Sequence, residues 1–211
     1  TNKKYAERFG ITTSNAITCV KPSGTTSQTL DAASGMHARY APYYVRRIRV
    51  SATDSLYKFM RDAGVPCKPE VGQMADTANT FVLEFPVKAP DGAIAKDDIS
   101  ALDQLEHWKL VKENYTEHNP SVTISVGDDE WIKVANWVYE HWDIVGGLSF
   151  LPRENHVYQL APYEAITKDE YEARMKNFPA VDYAKLMQYE RADETELKKE
   201  LACVSGVCEI L

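Results

Sequence analysis

Two stretches of this sequence carry side chains whose type and spacing suit chemistry. The first is Lys21-Pro22-Ser23-Gly24-Thr25-Thr26-Ser27, with four hydroxyls and a glycine directly after the short apolar run Ala16-Ile17-Thr18-Cys19-Val20. A glycine lets the backbone aim N–H groups at an anion, and hydroxyls add neutral donors. Such a loop binds phosphate through oriented dipoles, with Lys21 able to add a full charge. The alternative is a surface turn whose hydroxyls satisfy their own backbone. The second stretch is Cys203-Val204-Ser205-Gly206-Val207-Cys208. Two thiols this close, on a segment with little to pack, can close a disulfide and exchange it with another. The alternative is an incidental pair of exposed thiols.

The remaining reactive residues form no comparable group. Cys19 and Cys67 have no CxxC partner and no histidine at ligand spacing, so they read as core or surface thiols. His37, His107, His118, His141 and His156 make no HxxxH or HExxH pair, and no metal site is expected. His37 stands apart because it follows the hydroxyl-rich loop in Ser34-Gly35-Met36-His37-Ala38-Arg39. Arg46, Arg47 and Arg49 either meet phosphates or a partner, or form a solvated strand face. Trp131, Trp137 and Trp142 read as core. There is neither GxxxxGK[ST] nor GxGxxG, which excludes the usual ATPase loop and the dinucleotide fingerprint.

The elements that position these groups follow from periodicity. Ala16–Val20, Tyr43–Val50, Thr80–Phe85, Ser121–Val126 and Leu148–Leu151 read as strands, with Pro86 closing the third. Helices are expected over Ala52–Ala63, from a cap at Asp97 or Asp98 to about Asn114, and from a cap at Asp128 or Asp129 through Trp131, Ala135, Val138 and Trp142. Strands alternating with helices imply parallel βαβ crossovers and an α/β sheet or barrel. From Pro162 to Tyr189 the pattern turns helical, with Thr167 and Glu170 at capping-box spacing. After Glu190 the chain is charged and poor in apolar residues, as a mobile tail would be.

The 211 residues suffice for one domain or slightly more, and 44% hydrophobic with 26% charged residues is the balance of a globular protein. A net charge of -7 without a basic run argues against nucleic acid. No stretch approaches the roughly 18 apolar residues of a membrane span, and no signal-peptide core follows Thr1. Four unevenly spaced cysteines do not make a secreted disulfide framework, so a cytoplasmic, reduced protein is expected. The first residue is not Met, and the opening reads as mid-domain. A fragment, a processed product or one piece of a split enzyme is expected.

Taken in order, Val20-Lys21-Pro22-Ser23-Gly24-Thr25, Ser34-Gly35-Met36-His37-Ala38-Arg39-Tyr40-Ala41-Pro42-Tyr43-Tyr44, His118-Asn119-Pro120-Ser121-Val122-Thr123-Ile124, Ser149-Phe150-Leu151-Pro152 and the Cys203/Cys208 pair resemble the C-terminal portion of the adenosylcobalamin-dependent (class II) ribonucleotide reductases. The resemblance covers nearly the whole chain. It implies a ten-stranded α/β barrel whose C-terminal part is residues 1–161, a helical extension over 162–190 and a flexible redox tail over 191–211. It also implies that Pro22, Ser23, Gly24, Thr25 and Thr26 hold the phosphates of a ribonucleoside di- or triphosphate. Cys203 and Cys208 become the catalytic shuttle thiols, recharged by a thioredoxin-like reductant. The radical cysteine and most adenosylcobalamin contacts are implied to lie in an N-terminal portion of the same reductase, without which the chain is inactive. Phe150-Leu151 stands where the diiron-dependent class needs a Tyr-Tyr pair, and the tail carries cysteines where the anaerobic class needs a glycyl-radical segment. Both points favour the cobalamin class. Two other readings stay open: a non-catalytic nucleotide-binding or regulatory module derived from that barrel, and a generic thiol-disulfide protein.

Overall fold

A computed structural model describes residues 1–153 and 158–190; Cys203, Cys208, His156 and the expected tail lie outside them. In chain order the elements are α1 Asn2–Phe9, α2 Thr25–Thr29, β1 Tyr43–Ser51, α3 Ser55–Asp62, β2 Cys67–Pro69, β3 Thr80–Lys88, α4 Ala101–Asn114, β4 Thr123–Val126, α5 Trp131–Glu140, β5 Ser149–Pro152, β6 Tyr163–Ala165, α6 Lys168–Asn177 and a 3-10 helix Tyr183–Gln188. The described residues divide between two compact units, one drawn from Thr1–Arg39 and Pro90–Asn155, the other from Tyr40–Ala89 and His156–Leu211. Among them no helix is long and apolar enough to cross a membrane.

In the first unit β4 and β5 pair in parallel, Thr123 opposite Ser149 through Val126 opposite Pro152, with α5 as the crossover. Ile124 and Val126 point inward against Leu105 and Trp108 of α4 and Val134 and Trp137 of α5. Full burial of an aliphatic side chain such as Leu105 stabilises by about 1.5–3 kcal/mol. The two indoles meet edge to face at 6.3 Å and 79°. Each finds an acceptor: Trp108 Nε1 donates to Pro120 O at 2.9 Å and Trp137 Nε1 to Glu106 Oε1 at 2.6 Å. On the edge of β4 away from β5, the Gln104 carboxamide takes the place of a strand. Its Nε2 donates to Ser125 O at 3.2 Å and its Oε1 accepts from Ser125 N–H at 3.1 Å.

The caps of α4 and α5 differ from the expected ones. Asp98 is occupied in accepting from Ala95 N–H, and Ser100 caps α4 by accepting from Asp103 N–H at 3.1 Å. Ahead of α5 it is Glu130, not Asp128 or Asp129, that gathers loose donors, accepting from Gly127 N–H at 2.7 Å and Ala101 N–H at 2.9 Å. The face of α5 turned to the core also differs. Val134 and Trp137 are buried, whereas Trp131 and Trp142 are exposed. The sequence offers two apolar stripes, and the sheet takes the other one.

The second unit is a four-stranded sheet in the order β2-β3-β1-β6. Every pairing in it is antiparallel, so the parallel crossover expected throughout is realised only at β4-α5-β5 among the described residues. β3 runs through Pro86, which sits opposite Val45, instead of ending there. Glu84 N–H bonds to Pro66 O on the β2 side, so Pro86, two residues on, turns its donorless nitrogen to an edge that β2 no longer reaches. Within the segment expected to be helical, Tyr163–Ala165 instead forms an edge strand on β1 before α6 begins. The Thr167–Glu170 capping box of α6 is present. Tyr57, Phe59 and Met60 of α3 pack with Val50, Val65 and Leu83 to form the core.

The arginines of β1 do not form a solvated face; each is engaged within the unit. Arg47 donates from Nε to Glu84 Oε1 at 2.8 Å, from a second nitrogen to Ala161 O at 3.1 Å, and pairs with Glu164. Arg49 pairs with Glu70, and the Arg46 guanidinium lies 4.3 Å from the centroid of the Tyr163 ring.

Candidate functional site

The hydroxyl-rich loop lies in the first unit and is built by three of the sequence stretches singled out above. Ala16–Val20 runs extended beside 117–121, with His118 N–H donating to Thr18 O and Ser121 N–H to Val20 O, both at 3.0 Å. No regular strand forms. Pro120 lies between the two donors and has no N–H of its own, so the ladder skips a rung. Side chains fill in: Glu117 Oε2 accepts from Ile17 N–H at 2.6 Å, and Thr18 Oγ1 accepts from Glu117 N–H at 3.0 Å. Asn119 works on the other side, gripping both the N–H and the C=O of Gly147 ahead of β5.

Beyond Pro22 the chain turns at Gly24, whose φ of 49° with ψ of −121° suits only glycine. That turn launches α2 at Thr25, a short helix where the run of turn formers and hydroxyls predicts a loop. Ser23 O accepts from Thr26 N–H at 3.1 Å, and the buried Ser27 hydroxyl donates back to Gly24 O at 2.6 Å. Ser23 N–H donates to Ser34 Oγ at 2.9 Å. Two of the loop's amides are therefore already engaged in shaping it. Gly24 N–H has no hydrogen-bond partner among the described residues. Pro22, Ser23 and Thr26 are exposed and Gly24 is half-buried.

The Ser34-Gly35-Met36-His37 stretch is the buttress. An added Cβ on Gly35 would lie 2.8 Å from Lys21 O, so the two backbones approach as closely as they do only because residue 35 has none. His37 holds the buttress in place, Nδ1 2.7 Å from Ser34 O and Nε2 3.3 Å from Thr123 Oγ1 on β4. Both ring nitrogens are thus engaged in support. Beside it opens a cavity of about 500 Å³ walled by Met36, Ile94, Gln104 and His107.

Gly35→Ala is a direct test of this arrangement. With φ at +61° and the Lys21 carbonyl in the way, the substitution is expected to cost at least about 1–2 kcal/mol. It should lower Tm by roughly 2–8 °C for a chain of this size. The amide resonances of Ser23 and Gly24 should shift with it. Unchanged resonances at an unchanged Tm would remove the buttress role.

Of the residues expected to carry chemistry, the structure brings Pro22, Ser23, Gly24, Thr25 and Thr26 together in one turn. Cys203 and Cys208 lie outside the described residues. Cys19 and Cys67 are half-buried free thiols, and burial pushes the Cys67 thiol up from its ordinary value. Among the described residues no cluster of His, Cys, Asp and Glu could hold a metal ion. Sequence reasoning missed Ser34 as a support of the loop and Asn119 as the clasp on Gly147; their presence in the Ser-Gly-Met-His and His-Asn-Pro-Ser stretches was the available signal.

No family profile matches the chain. It is 27% identical over 215 aligned residues to an adenosylcobalamin-dependent ribonucleoside-triphosphate reductase of Lactobacillus gasseri, covering 99% of this chain and 28% of the relative. The corresponding enzyme of Lactobacillus leichmannii is 28% identical with the same coverage. A solved B12-dependent (class II) ribonucleotide reductase superposes with a TM-score of 0.74 at 26% identity, over 92% of this chain and 27% of that one. The chain thus spans a little over a quarter of the length of the relatives it matches. Over nearly all of its own length it is related to a segment of the adenosylcobalamin-dependent, class II ribonucleotide reductases and shares their fold there.

Proposed function

We propose that this chain is the C-terminal portion of an adenosylcobalamin-dependent ribonucleotide reductase, supplying the substrate-phosphate loop and the thiol shuttle. The observation that carries the reading is the buttressed turn at Ser23-Gly24. A loop shaped by Ser34, Gly35 and His37 from below keeps its outer face open to an anion. Within Pro22 to Thr26, hydroxyls and the Gly24 N–H then hold the phosphates, Pro22 fixes the approach to the turn, and Lys21 adds charge. The names of the relatives favour a triphosphate over a diphosphate.

In this reading residues 1–161 contribute to the ten-stranded α/β barrel, most directly through Ala16–Val20, β4, α5 and β5. Residues 162–190 follow as an extension and 191–211 as the redox tail. Adenosylcobalamin, which supplies the radical when bound, is assigned mainly to the remainder of the reductase. Neither of two cavities among the described residues could hold it whole. A cavity of about 610 Å³ in the second unit is walled by the ion-paired Arg47, Glu70 and Glu164, and volumes like this one and the 500 Å³ cavity suit drug-sized ligands, which cobalamin far exceeds. Ribose chemistry accordingly belongs to the N-terminal portion. This chain binds, orients and returns electrons, in the cytoplasm.

The test is complementation. The chain alone should give no turnover. Mixed with the N-terminal portion of the same reductase, adenosylcobalamin, a ribonucleoside triphosphate and a thioredoxin-type reductant, it should yield the deoxynucleotide. A verified complex that forms no product would refute the proposal, and nucleotide binding without complementation would point to a regulatory module.

A further inference from the structure

Three quarters of the circumference of α5 are accounted for by its composition, and the remainder is not. At about 100° per residue, Val134, Trp137 and Val138 occupy the arc that faces β4 and β5, and Trp137 also touches α4 through Glu106 and Trp108. Lys133, Asn136 and Glu140 occupy a second arc and suffice as the solvent face. Between them, on the flank opposite α4, lie Trp131, Ile132, Ala135 and Tyr139. Trp142 continues this stripe in the turn after the helix, where its N–H reaches Tyr139 O. Ile132 is 85% exposed, Tyr139 82%, Trp142 70% and Trp131 39%. Two indoles, a phenol and an isoleucine on about a 100° arc form an apolar patch of the kind that marks a protein interface, rich in the residues that anchor one.

We infer that this stripe of α5 is the seat of an amphipathic helix from the N-terminal portion of the reductase. The inference rests on the function proposed above. Three observations select that occupant. The relatives extend this chain more than threefold, so most of their fold is supplied by sequence not present here. Among the described residues the parallel sheet around α5 is two regular strands wide, and such sheets occur with helices laid side by side over their faces. Finally, α4 fills one flank of α5 and the stripe lies on the other, where the crossover helix of a further βα unit would run.

The test uses the 211-residue chain and the N-terminal portion of the same reductase, with association measured by calorimetry. Ile132→Glu with Tyr139→Glu places two charges at strongly exposed positions of α5, so circular dichroism and Tm of the isolated chain should match the parent. The double variant should bind the N-terminal portion at least about a hundredfold more weakly. Indole emission from Trp131 and Trp142 should shift to the blue when the parent binds. A variant that associates as tightly as the parent, with complementation intact, would overturn the assignment of this face and leave the reductase reading standing. Self-association of the parent that the double variant abolishes would also overturn it, in favour of a second copy. Absence of any complex with the parent would overturn both.

Discussion

Serine in place of either Cys203 or Cys208 is expected to abolish turnover driven by a thioredoxin-type reductant while leaving turnover driven by a small dithiol close to that of the parent. A shuttle works in two exchanges. One thiolate attacks the disulfide left in the active site and forms a mixed disulfide; the second thiolate then attacks that bond, releasing the active-site dithiol and closing a disulfide between the two shuttle cysteines. Two electrons pass inward, and the reductant returns them to the tail. With one thiol removed the mixed disulfide has no internal resolving group, so the cycle stalls after its first exchange. Dithiothreitol carries both thiols itself and can reach the inner disulfide without the tail. Assays of the complemented enzyme with each reductant separate the cases. Equal loss with both would argue against a shuttle and toward a structural role for the pair.

Removing the Glu84 carboxylate is expected to have the largest effect on stability. Glu84 stands directly opposite Arg47 in the β1–β3 register and is 4% exposed. One oxygen accepts from Arg47 Nε at 2.8 Å and from Lys68 Nζ at 3.2 Å, and the other lies 3.7 Å from Arg174. Glu84→Ala strands the buried Arg47 guanidinium with a weaker counter-charge, a change that costs about 3–5 kcal/mol. Glu84→Gln keeps one acceptor and should cost less. Denaturant titration would measure both, and a loss under about 1 kcal/mol for alanine would show that Glu164 alone neutralises Arg47.

The same group sets the acid limb of stability. Burial alone would raise the Glu84 pKa, but hydrogen bonds from Arg47 and Lys68 outweigh it and hold the carboxylate below its usual range. A folded pKa below the unfolded value, about 4.3, means the contribution is complete above that value. It is lost as pH falls through the folded value. Glu84→Gln should flatten this part of the stability profile.

How much of this was readable in advance depended on how far apart the deciding residues lie. β1, β3, α4 and the Thr167 cap follow from local pattern, and the structure contains them. The partners of Arg47 do not: Glu84 is 37 residues away and Glu164 117. A run of arginines in isolation looks like a solvated or ligand-facing strand. In α5 both stripes are apolar at helical spacing, so periodicity marks a helix without saying which side is inside. The turn at Pro22 to Thr26 was legible as a candidate because serine, glycine and threonine crowd together. Its shape was not, because Ser34 and Gly35 come from beyond α2 and the Lys21 carbonyl that excludes a Cβ at residue 35 is a backbone atom.

The Gln104 carboxamide that closes the edge of β4 bears on the order in which the first unit forms. A strand edge is ordinarily completed by another strand, often distant in sequence, and closing that loop is slow. Here the donor and acceptor of Ser125 are met from only 21 residues upstream, by a side chain already held on α4. Loop-closure entropy rises with the logarithm of the separation, so this contact is among the cheaper long-range ones to make. The segment from Ser100 to Val126 can therefore complete a helix, a turn and a hydrogen-bonded strand within one short stretch of chain. β5 pairs with β4 from Thr123 opposite Ser149 onward, a separation little larger in logarithmic terms, so it closes onto that segment at nearly the same entropic cost.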